Sequence, residues 1–466
     1  MSTPPFIFRQ YDIRGRADRD LPDALVTALG RAFCRFIAGG APEARSPAGE
    51  GPTISVGRDC RLSSDRLFEA LTRGLMAAGA HVVDIGVGPS PLLYFSAHHL
   101  RTDGAIMITG SHNPAQDNGF KMMRGTSTLF GDDIQTLRRL IEADEGTSDG
   151  GSLRHQDITE DYIASVAAAA HVPAFGGRVV VDAGNGAAGP LAVQTLQRLG
   201  VLVDPMYCEM NGLFPHHHPD PTVEANLQDL RARVLETGAA LGVAFDGDGD
   251  RIGVIDERGA TIWGDRLTLL FGRSLLVERP GAAIIGEVKC SQTLYDDITA
   301  KGGRAIVSPT GHSLIKKRMI EESALLAGEM SGHIFFADRY FGFDDAIYAA
   351  ARLLEIVARA EAPLSTLLAD VPEMFATPEL RVECPDAIKF EVVEAVREHF
   401  ATTHEVLDID GARIRFPDGA WGLCRASNTG PILVLRFEAA TEARCDEIRA
   451  EVETIVAAAR GRLASA

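Results

Sequence analysis

The chain has 466 residues, too many for one ordinary core, so two to four domains are expected. Its apolar residues make up 45% and its charged residues 24%, the balance of a globular enzyme. The formal net charge of −18 argues against a general nucleic-acid binder or a binder of anionic membranes, although a local basic pocket could still take an anionic substrate.

Met1-Ser2-Thr3-Pro4-Pro5 lacks a basic region followed by an apolar core, so no secretory leader is expected. No apolar stretch approaches the roughly 20 residues needed to span a bilayer. The seven cysteines (34, 60, 208, 290, 384, 424 and 445) are scattered and show no CxxC spacing. Reduced thiols in the cytoplasm are the simplest account. Nothing sets the oligomeric state, and a monomer is favoured.

Near the start, Phe8-Arg9-Gln10-Tyr11-Asp12-Ile13-Arg14-Gly15 is a basic stretch. Gly39 to Gly51, rich in Gly, Ala, Pro and Ser, reads as a flexible loop. Thr53–Val56 predicts a strand, Gly57-Arg58-Asp59 a polar turn, Ser64–Ala78 a helix and His81–Ile85 a second strand. The apolar run Ala105–Ile108 predicts a buried strand, which cannot continue through Thr109-Gly110-Ser111-His112-Asn113-Pro114. Gly frees the backbone there, and Pro disfavours the helical region for Asn113. Ser111 is therefore expected on a tight loop at the carboxyl end of a strand, where open α/β sheets bind ligands. His112 stands next to it, and Lys121 follows ten positions on.

The strand–turn–helix–strand plan recurs over Val179–Asp182, Gly184-Asn185-Gly186, a helix to about Leu199 and Val201–Val203. Next comes the apolar strand Leu241–Phe245 and then Asp246-Gly247-Asp248-Gly249-Asp250-Arg251. Three carboxylates at alternate positions crowd negative charge, and a hard divalent cation is their natural partner. An EF-hand loop counted from Asp246 would place Asp248, Asp250 and Glu257 at its third, fifth and twelfth positions. Its sixth position, however, is Arg251 where Gly is required, and the flanks read as strands (241–245 and 252–256). A magnesium site is the reading, with open coordination positions for a phosphate oxygen.

The plan appears a third time over Ala283–Ile285, Gly286-Glu287-Val288-Lys289, a helix to about Thr299 and Arg304–Val307. The three copies are the βαβ signature of mostly parallel sheets in three related α/β domains. His312 follows, and Gly328-Glu329-Met330-Ser331-Gly332-His333 sets carboxylate, hydroxyl and imidazole on a glycine-bounded loop suited to sugar hydroxyls.

Pro363, Pro372 and Pro378 mark a boundary. Beyond about 373 strand-like and helical pieces alternate: 379–382, a helix over 390–400, 412–416, 421–425, 432–437 and an amphipathic helix over 441–460. This is a smaller α+β domain. Arg425-Ala426-Ser427-Asn428-Thr429-Gly430-Pro431 lies between two of its strands. It offers a guanidinium, hydroxyls, an amide and backbone N–H groups, the donors a phosphate dianion requires, though a plain hairpin turn is the competing reading.

Five motifs, Tyr11–Gly15, Thr109–Pro114, Asp246–Arg251, Gly328–His333 and Arg425–Pro431, stand in the order and spacing of the α-D-phosphohexomutase family. Over essentially its whole length the chain resembles that family, most closely the bacterial phosphomannomutase/phosphoglucomutase branch. The resemblance implies a heart-shaped arrangement around a central cleft, with α/β domains over 1–153, 154–256 and 257–372 and an α+β domain over 373–466. It implies a phosphohexomutase that interconverts hexose 1- and 6-phosphates of mannose, glucose or both. The reaction would pass through a phosphoserine at Ser111 and a hexose 1,6-bisphosphate, which also serves as activator. Asp246, Asp248, Asp250 and a phosphoserine oxygen of Ser111 would bind Mg²⁺. Lys121, Arg251 and His112 would join Ser111 in catalysis. Glu329 and Ser331 would contact sugar hydroxyls. Arg425, Ser427, Asn428 and Thr429 would hold the phosphate that is not reacting. Tyr11, Arg14, Lys289, His312 and His333 would line the substrate side.

Two other readings compete. A glucosamine phosphate mutase of the same family tends to carry Gln where Met330 stands. A metal-dependent sugar phosphatase would release inorganic phosphate, and a non-catalytic phosphosugar sensor would be expected to have lost Ser111 or an aspartate, all of which are present.

Overall fold

The computed structural model describes residues 3–39, 51–143, 150–427 and 430–464. The loop expected over Gly39–Gly51 therefore lies, except for its end glycines, outside the described residues, as do Asn428 and Thr429. The chain forms two compact units, one of residues 1–264 and 331–367, the other of residues 265–330 and 368–466.

The first unit opens with β1 (Ile13–Arg16), α1 (Asp23–Ala38), β2 (Thr53–Arg58), α2 (Ser64–Ala77), β3 (His81–Val87), α3 (Ser90–His99), β4 (Gly104–Ile108), β5 (Asp117–Arg124), β6 (Ser127–Thr128), α4 (Asp132–Ala143) and β7 (Ser152–His155). The sheet runs β1-β5-β4-β2-β3-β7, with β6 on β5. β4, β2, β3 and β7 pair in parallel, whereas β5 turns back antiparallel on β4. The sheet is thus mixed. Every residue of β4 is buried, as its unbroken apolar run requires of a central strand.

Helices α1 and α2 pack closely because both carry glycine at the crossing. A Cβ on Gly74 would overlap the Thr27 carbonyl, and one on Gly30 would overlap that of Leu71. Gly74→Ala should therefore destabilise the protein by about 1–3 kcal/mol, the cost of overpacking, read as a lower urea midpoint.

A second sheet is built from α5 (Thr159–Ala169), β8 (Arg178–Asp182), α6 (Gly189–Arg198), β9 (Leu202–Met206), α7 (Gln228–Thr237), β10 (Leu241–Phe245), β11 (Ile252–Asp256) and β12 (Thr261–Ile262). Its order is β12-β11-β10-β8-β9. β10 runs parallel to β8 and antiparallel to β11. The strands expected on either side of the Asp-rich loop are β10 and β11.

The second unit contains most of α8 (Gly264–Glu278), then β13 (Ala283–Glu287), α9 (Gln292–Ala300), β14 (Arg304–Ser308), α10 (His312–Glu322) and β15 (Leu326–Gly328). β13 lies between β14 and β15, parallel to both. β16 (Ile334–Phe336) and α11 (Ala346–Ala360) belong to the first unit. The chain then completes the second unit with β17 (Phe375–Ala376), β18 (Leu380–Glu383), α12 (Lys389–Ala401), β19 (Glu405–Leu407), β20 (Ala412–Arg415), β21 (Trp421–Ala426), β22 (Ile432–Ala439) and α13 (Glu442–Ala464). These six strands form an antiparallel sheet. Cys445, Ile448, Val452, Val456 and Ala459 of α13, spaced three or four apart, join its core with Val392, Val396 and Phe400 of α12.

The fold is α/β, with mixed sheets and a final α+β part. The three repeats are present as β2-α2-β3, β8-α6-β9 and β13-α9-β14, each closing a parallel strand pair. The short strands β17 and β19 are additions that the sequence pattern did not show. Among the described residues no helix is long and apolar enough to cross a membrane.

Candidate active site

In the first unit the Ser111 loop leaves the carboxyl end of β4, and the Asp-rich loop leaves that of β10. Ser111 is 2% exposed and has φ 50°, a left-handed conformation rare outside glycine. Its N–H donates to Thr109 Oγ1 at 2.8 Å. Its Oγ donates to Asp246 Oδ2 at 3.0 Å and lies 3.1 Å from His112 Nδ1. Such a strained, fully supported conformation is a mark of functional loops. The two loops touch closely, since a Cβ on Gly247 would overlap the Ser111 carbonyl. This is the physical use of the first glycine spacer. Arg14 donates to Asn113 Oδ1 at 2.8 Å and to Asp12 Oδ2 at 2.6 Å, so the early basic stretch packs against the serine loop.

Asp246, Asp248 and Asp250 are completely buried, and one oxygen from each falls within 4.8 Å of the others. Lys121 Nζ donates to Asp248 Oδ2 at 2.6 Å and also bonds Asp250. Ser90 Oγ donates to Asp248 Oδ2 at 2.5 Å. One ammonium does not balance three carboxylates. Asp248 Oδ1 and Asp250 Oδ1 are buried and accept no hydrogen bond. Buried carboxylate oxygens without a donor are costly, and a hard divalent cation is the group that such a donor set fits.

The acidities follow from this crowding. Burial, and then the charges of Asp250 and Asp248, push the Asp246 carboxyl well up. Burial also works to raise Asp248, but Lys121 outweighs it and holds that carboxyl below the usual range. Burial opposes the charge of Lys121, yet Asp248 and Asp250 keep its ammonium well above the ordinary value. Burial, with Arg251 and Arg14 nearby, drives His112 well down, so its imidazole is neutral at physiological pH.

Arg251 Nε donates to His333 Nε2 at 2.9 Å. His333 Nδ1 then faces Asp344 Oδ2 at 3.0 Å and Asp250 Oδ1 at 3.6 Å. Because Nε2 accepts from a guanidinium, the imidazole proton sits on Nδ1. His333 therefore sits between Arg251 and the buried carboxylates of Asp344 and Asp250. Ser331 also lies in this unit and is half-buried, as is Tyr11.

The second unit holds the remaining expected residues that the structure describes. Lys289 Nζ donates to Glu379 Oε1 at 3.0 Å and is 3.8 Å from Glu287 Oε1. Burial lowers its basicity, but Glu287 and Glu379 outweigh that and raise it. Glu287 Oε2 accepts from Lys289 N at 2.9 Å and Thr310 Oγ1 at 2.8 Å. Glu329 Oε1 accepts from Gly311 N at 2.7 Å, just ahead of His312 at the start of α10. Arg425, at the end of β21, donates through Nε to Asp410 Oδ2 at 3.0 Å, and the same oxygen accepts from Thr310 N at 3.0 Å. β21 and β22, which flank this stretch, pair antiparallel, Ala426 standing opposite Leu433. The glycine-bounded loop 328–333 is divided: Glu329 belongs to the second unit, Ser331 and His333 to the first.

Four family models match in series. Phosphoglucomutase/phosphomannomutase alpha/beta/alpha domain I covers residues 5–147, domain II 160–259, domain III 263–375, and the C-terminal domain 379–455. The chain belongs to the phosphoglucomutase/phosphomannomutase family. It is a phosphohexomutase, an isomerase. It is 46% identical over 447 residues to the phosphomannomutase/phosphoglucomutase of Pseudomonas syringae pv. tomato, covering 96% of this chain and 94% of that one. It is 42% identical over 457 residues to a phosphoglucomutase of Neisseria meningitidis, covering 97% and 96%. The crystal structure of a phosphoglucomutase/phosphomannomutase family protein from Burkholderia thailandensis superposes with a TM-score of 0.89 at 39% identity, covering 98% of both chains.

In this phosphohexomutase several supporting residues were not singled out from sequence. Asp59 and Arg61 pair beneath the serine loop. His218 donates to the His112 carbonyl, while its neighbour Pro219 accepts from Gly247 N at 3.1 Å. Lys389, 6% exposed, donates to Ser427 O at 2.6 Å and Gly430 O at 3.2 Å. Arg413 is fully buried, lies 4.0 Å over the Trp421 ring, and donates to Val288 O at 2.8 Å and Cys290 O at 3.1 Å, bracing the loop of Lys289. The signal for Asp59 and Arg61 was their place just after a buried strand. The hydrogen bonds of the other residues reach from 28 to 125 positions along the chain, and no local pattern announces them.

Proposed function

We propose that this phosphohexomutase interconverts the 1- and 6-phosphates of mannose and glucose, with Ser111 as the phosphoryl carrier and a hexose 1,6-bisphosphate as intermediate and activator. The observation that carries the reading is the 3.0 Å contact of Ser111 Oγ with Asp246, in a buried loop pair that also holds Lys121. The free sugar hydroxyl attacks the phosphorus, the bond from phosphorus to Ser111 Oγ breaks, and the hydroxyl proton ends on Oγ. The second half-reaction returns the other phosphoryl group to Ser111. Asp246, Asp248, Asp250 and a phosphoserine oxygen hold Mg²⁺, which supplies charge stabilisation for the phosphoryl group. Lys121 and Arg251 neutralise the same charge, and neutral His112 orients Oγ. Tyr11, Arg14, Lys289, His312 and His333 serve the substrate side, and Glu329 and Ser331 the sugar hydroxyls. Domains over 1–153, 154–256, 257–372 and 373–466 divide these tasks in a cytoplasmic monomer that needs no nucleic acid or membrane partner.

A coupled assay against mannose 1-phosphate, glucose 1-phosphate and glucosamine 1-phosphate, with a trace of bisphosphate, tests the reading. Turnover of the first two supports it. Preference for glucosamine 1-phosphate would make it an aminosugar mutase, and steady release of inorganic phosphate would make it a phosphatase.

Arg425, Ser427, Asn428 and Thr429 hold the phosphate that is not reacting. Arg425→Ala should raise KM for both 1- and 6-phosphates by about 1.5–3 kcal/mol, the scale of a hydrogen bond to a charged group. It should also need more added bisphosphate, because the intermediate escapes more often. An unchanged KM would remove Arg425 from the phosphate site.

A further inference from the structure

The left-handed conformation of Ser111 is held from beneath by one side chain. Arg61 is fully buried, and all five of its guanidinium N–H groups have acceptors. Nη2 donates to Ser111 O at 2.6 Å and Asn113 O at 2.7 Å. Nη1 donates to Pro114 O at 2.6 Å and Asp117 O at 3.0 Å. Nε donates to Asp59 Oδ2 at 3.1 Å. Asp59 is in turn fixed by Ser64 Oγ at 2.6 Å and by Arg61 N at 3.0 Å, and its Oδ2 accepts from Gly110 N at 3.2 Å. A side chain at position 110 would strike the guanidinium, so the residue before Ser111 is glycine to let Arg61 in.

A buried ion pair is weak evidence for stability, since its desolvation offsets much of its attraction. Its donors here converge on the backbone of the serine loop. Moving that backbone would swing Oγ away from Asp246.

We propose that Arg61, braced by Asp59, is a positioning residue for phosphoryl transfer: it holds the Ser111 loop in the strained geometry that aims Oγ at the Asp246–Asp250 loop. The proposal rests on Ser111 being the phosphoryl carrier. Arg61 makes no contact through which it would bind sugar, so its loss acts on kcat and spares KM.

The test uses Arg61→Lys and Arg61→Ala in the full-length enzyme, with Ser111→Ala alongside. Lysine keeps the charge and the aliphatic stem but offers three donors in a tetrahedral array in place of five in a plane. Arg61→Lys should lower kcat by about 100-fold, the effect of misplacing a reacting group by about 1 Å, with KM changed less than about twofold. Hydrogen–deuterium exchange should quicken in the segment 109–117 while β8 and β10 stay protected. Arg61→Ala should do both more severely, and if it does not fold the lysine variant alone decides. Wild-type kcat in Arg61→Lys, or a kcat loss with unchanged exchange in 109–117, would overturn the positioning role. A fully active Ser111→Ala enzyme would instead overturn the carrier reading on which the proposal stands.

Discussion

Ser111→Ala is expected to abolish mutase turnover, by about 10⁴-fold or more, as the loss of an obligate covalent carrier does. The substitution removes the atom that donates to Asp246 Oδ2 and leaves the loop's main-chain contacts to Arg61 in place. Alanine and serine meet the same strain at φ 50°, so the melting temperature should move little. Freshly isolated wild-type protein should contain a population one phosphate heavier by intact mass, absent from the variant. Near-normal turnover in Ser111→Ala would show that the serine is not the carrier.

Asp248→Asn is expected to lower turnover by about 10²–10³-fold, because preorganised charge at the transferring group is usually the largest catalytic contribution. The amide keeps the shape of the carboxyl but not its charge, and Lys121 is left with Asp250 as its remaining ion-pair partner. The cation-free protein should show the sign of these charges in its own stability. Asp248 is acidified in the fold, so its contribution is present above the ordinary carboxylate range and is lost as pH falls. Asp246 is shifted the opposite way, so its contribution is present at low pH and is lost as pH rises through its elevated value. Mg²⁺ should relieve that penalty and raise the melting temperature of the wild type, and should do so much less in Asp248→Asn. Full activity in excess chelator, or an equal Mg²⁺ shift in the variant, would rule out the joint metal site.

Most of the elements that carry chemistry were legible one segment at a time. An apolar run broken by Gly, Pro or alternating Asp predicted β4 and β10 and the loops after them, because a strand buried on both faces leaves a continuous hydrophobic signature. Asp246, Asp248 and Asp250 were readable as one site because their spacing alone brings the three carboxylates together. The strands on either side of Arg425–Pro431 were legible and pair antiparallel, while the phosphate role of the stretch stands as a proposal.

Contacts between distant segments were not legible. Lys121 was expected to join Ser111 in catalysis, and its direct pairing with Asp248 and Asp250 comes from β5 lying antiparallel on β4 within the same unit as β10. Nothing in Gly57-Arg58-Asp59 indicated that Arg61 would reach the carbonyls of residues 111, 113, 114 and 117. Hydrophobic period and turn chemistry act over a few residues, so by itself the sequence determined which strands exist, where they break and which side chains stand at the breaks. Which buried charge meets which carbonyl depends on sheet order and on desolvation. The tertiary structure alone decided that a guanidinium would hold the serine loop, an ammonium would join the aspartates, and His333 would sit between Arg251 and Asp344.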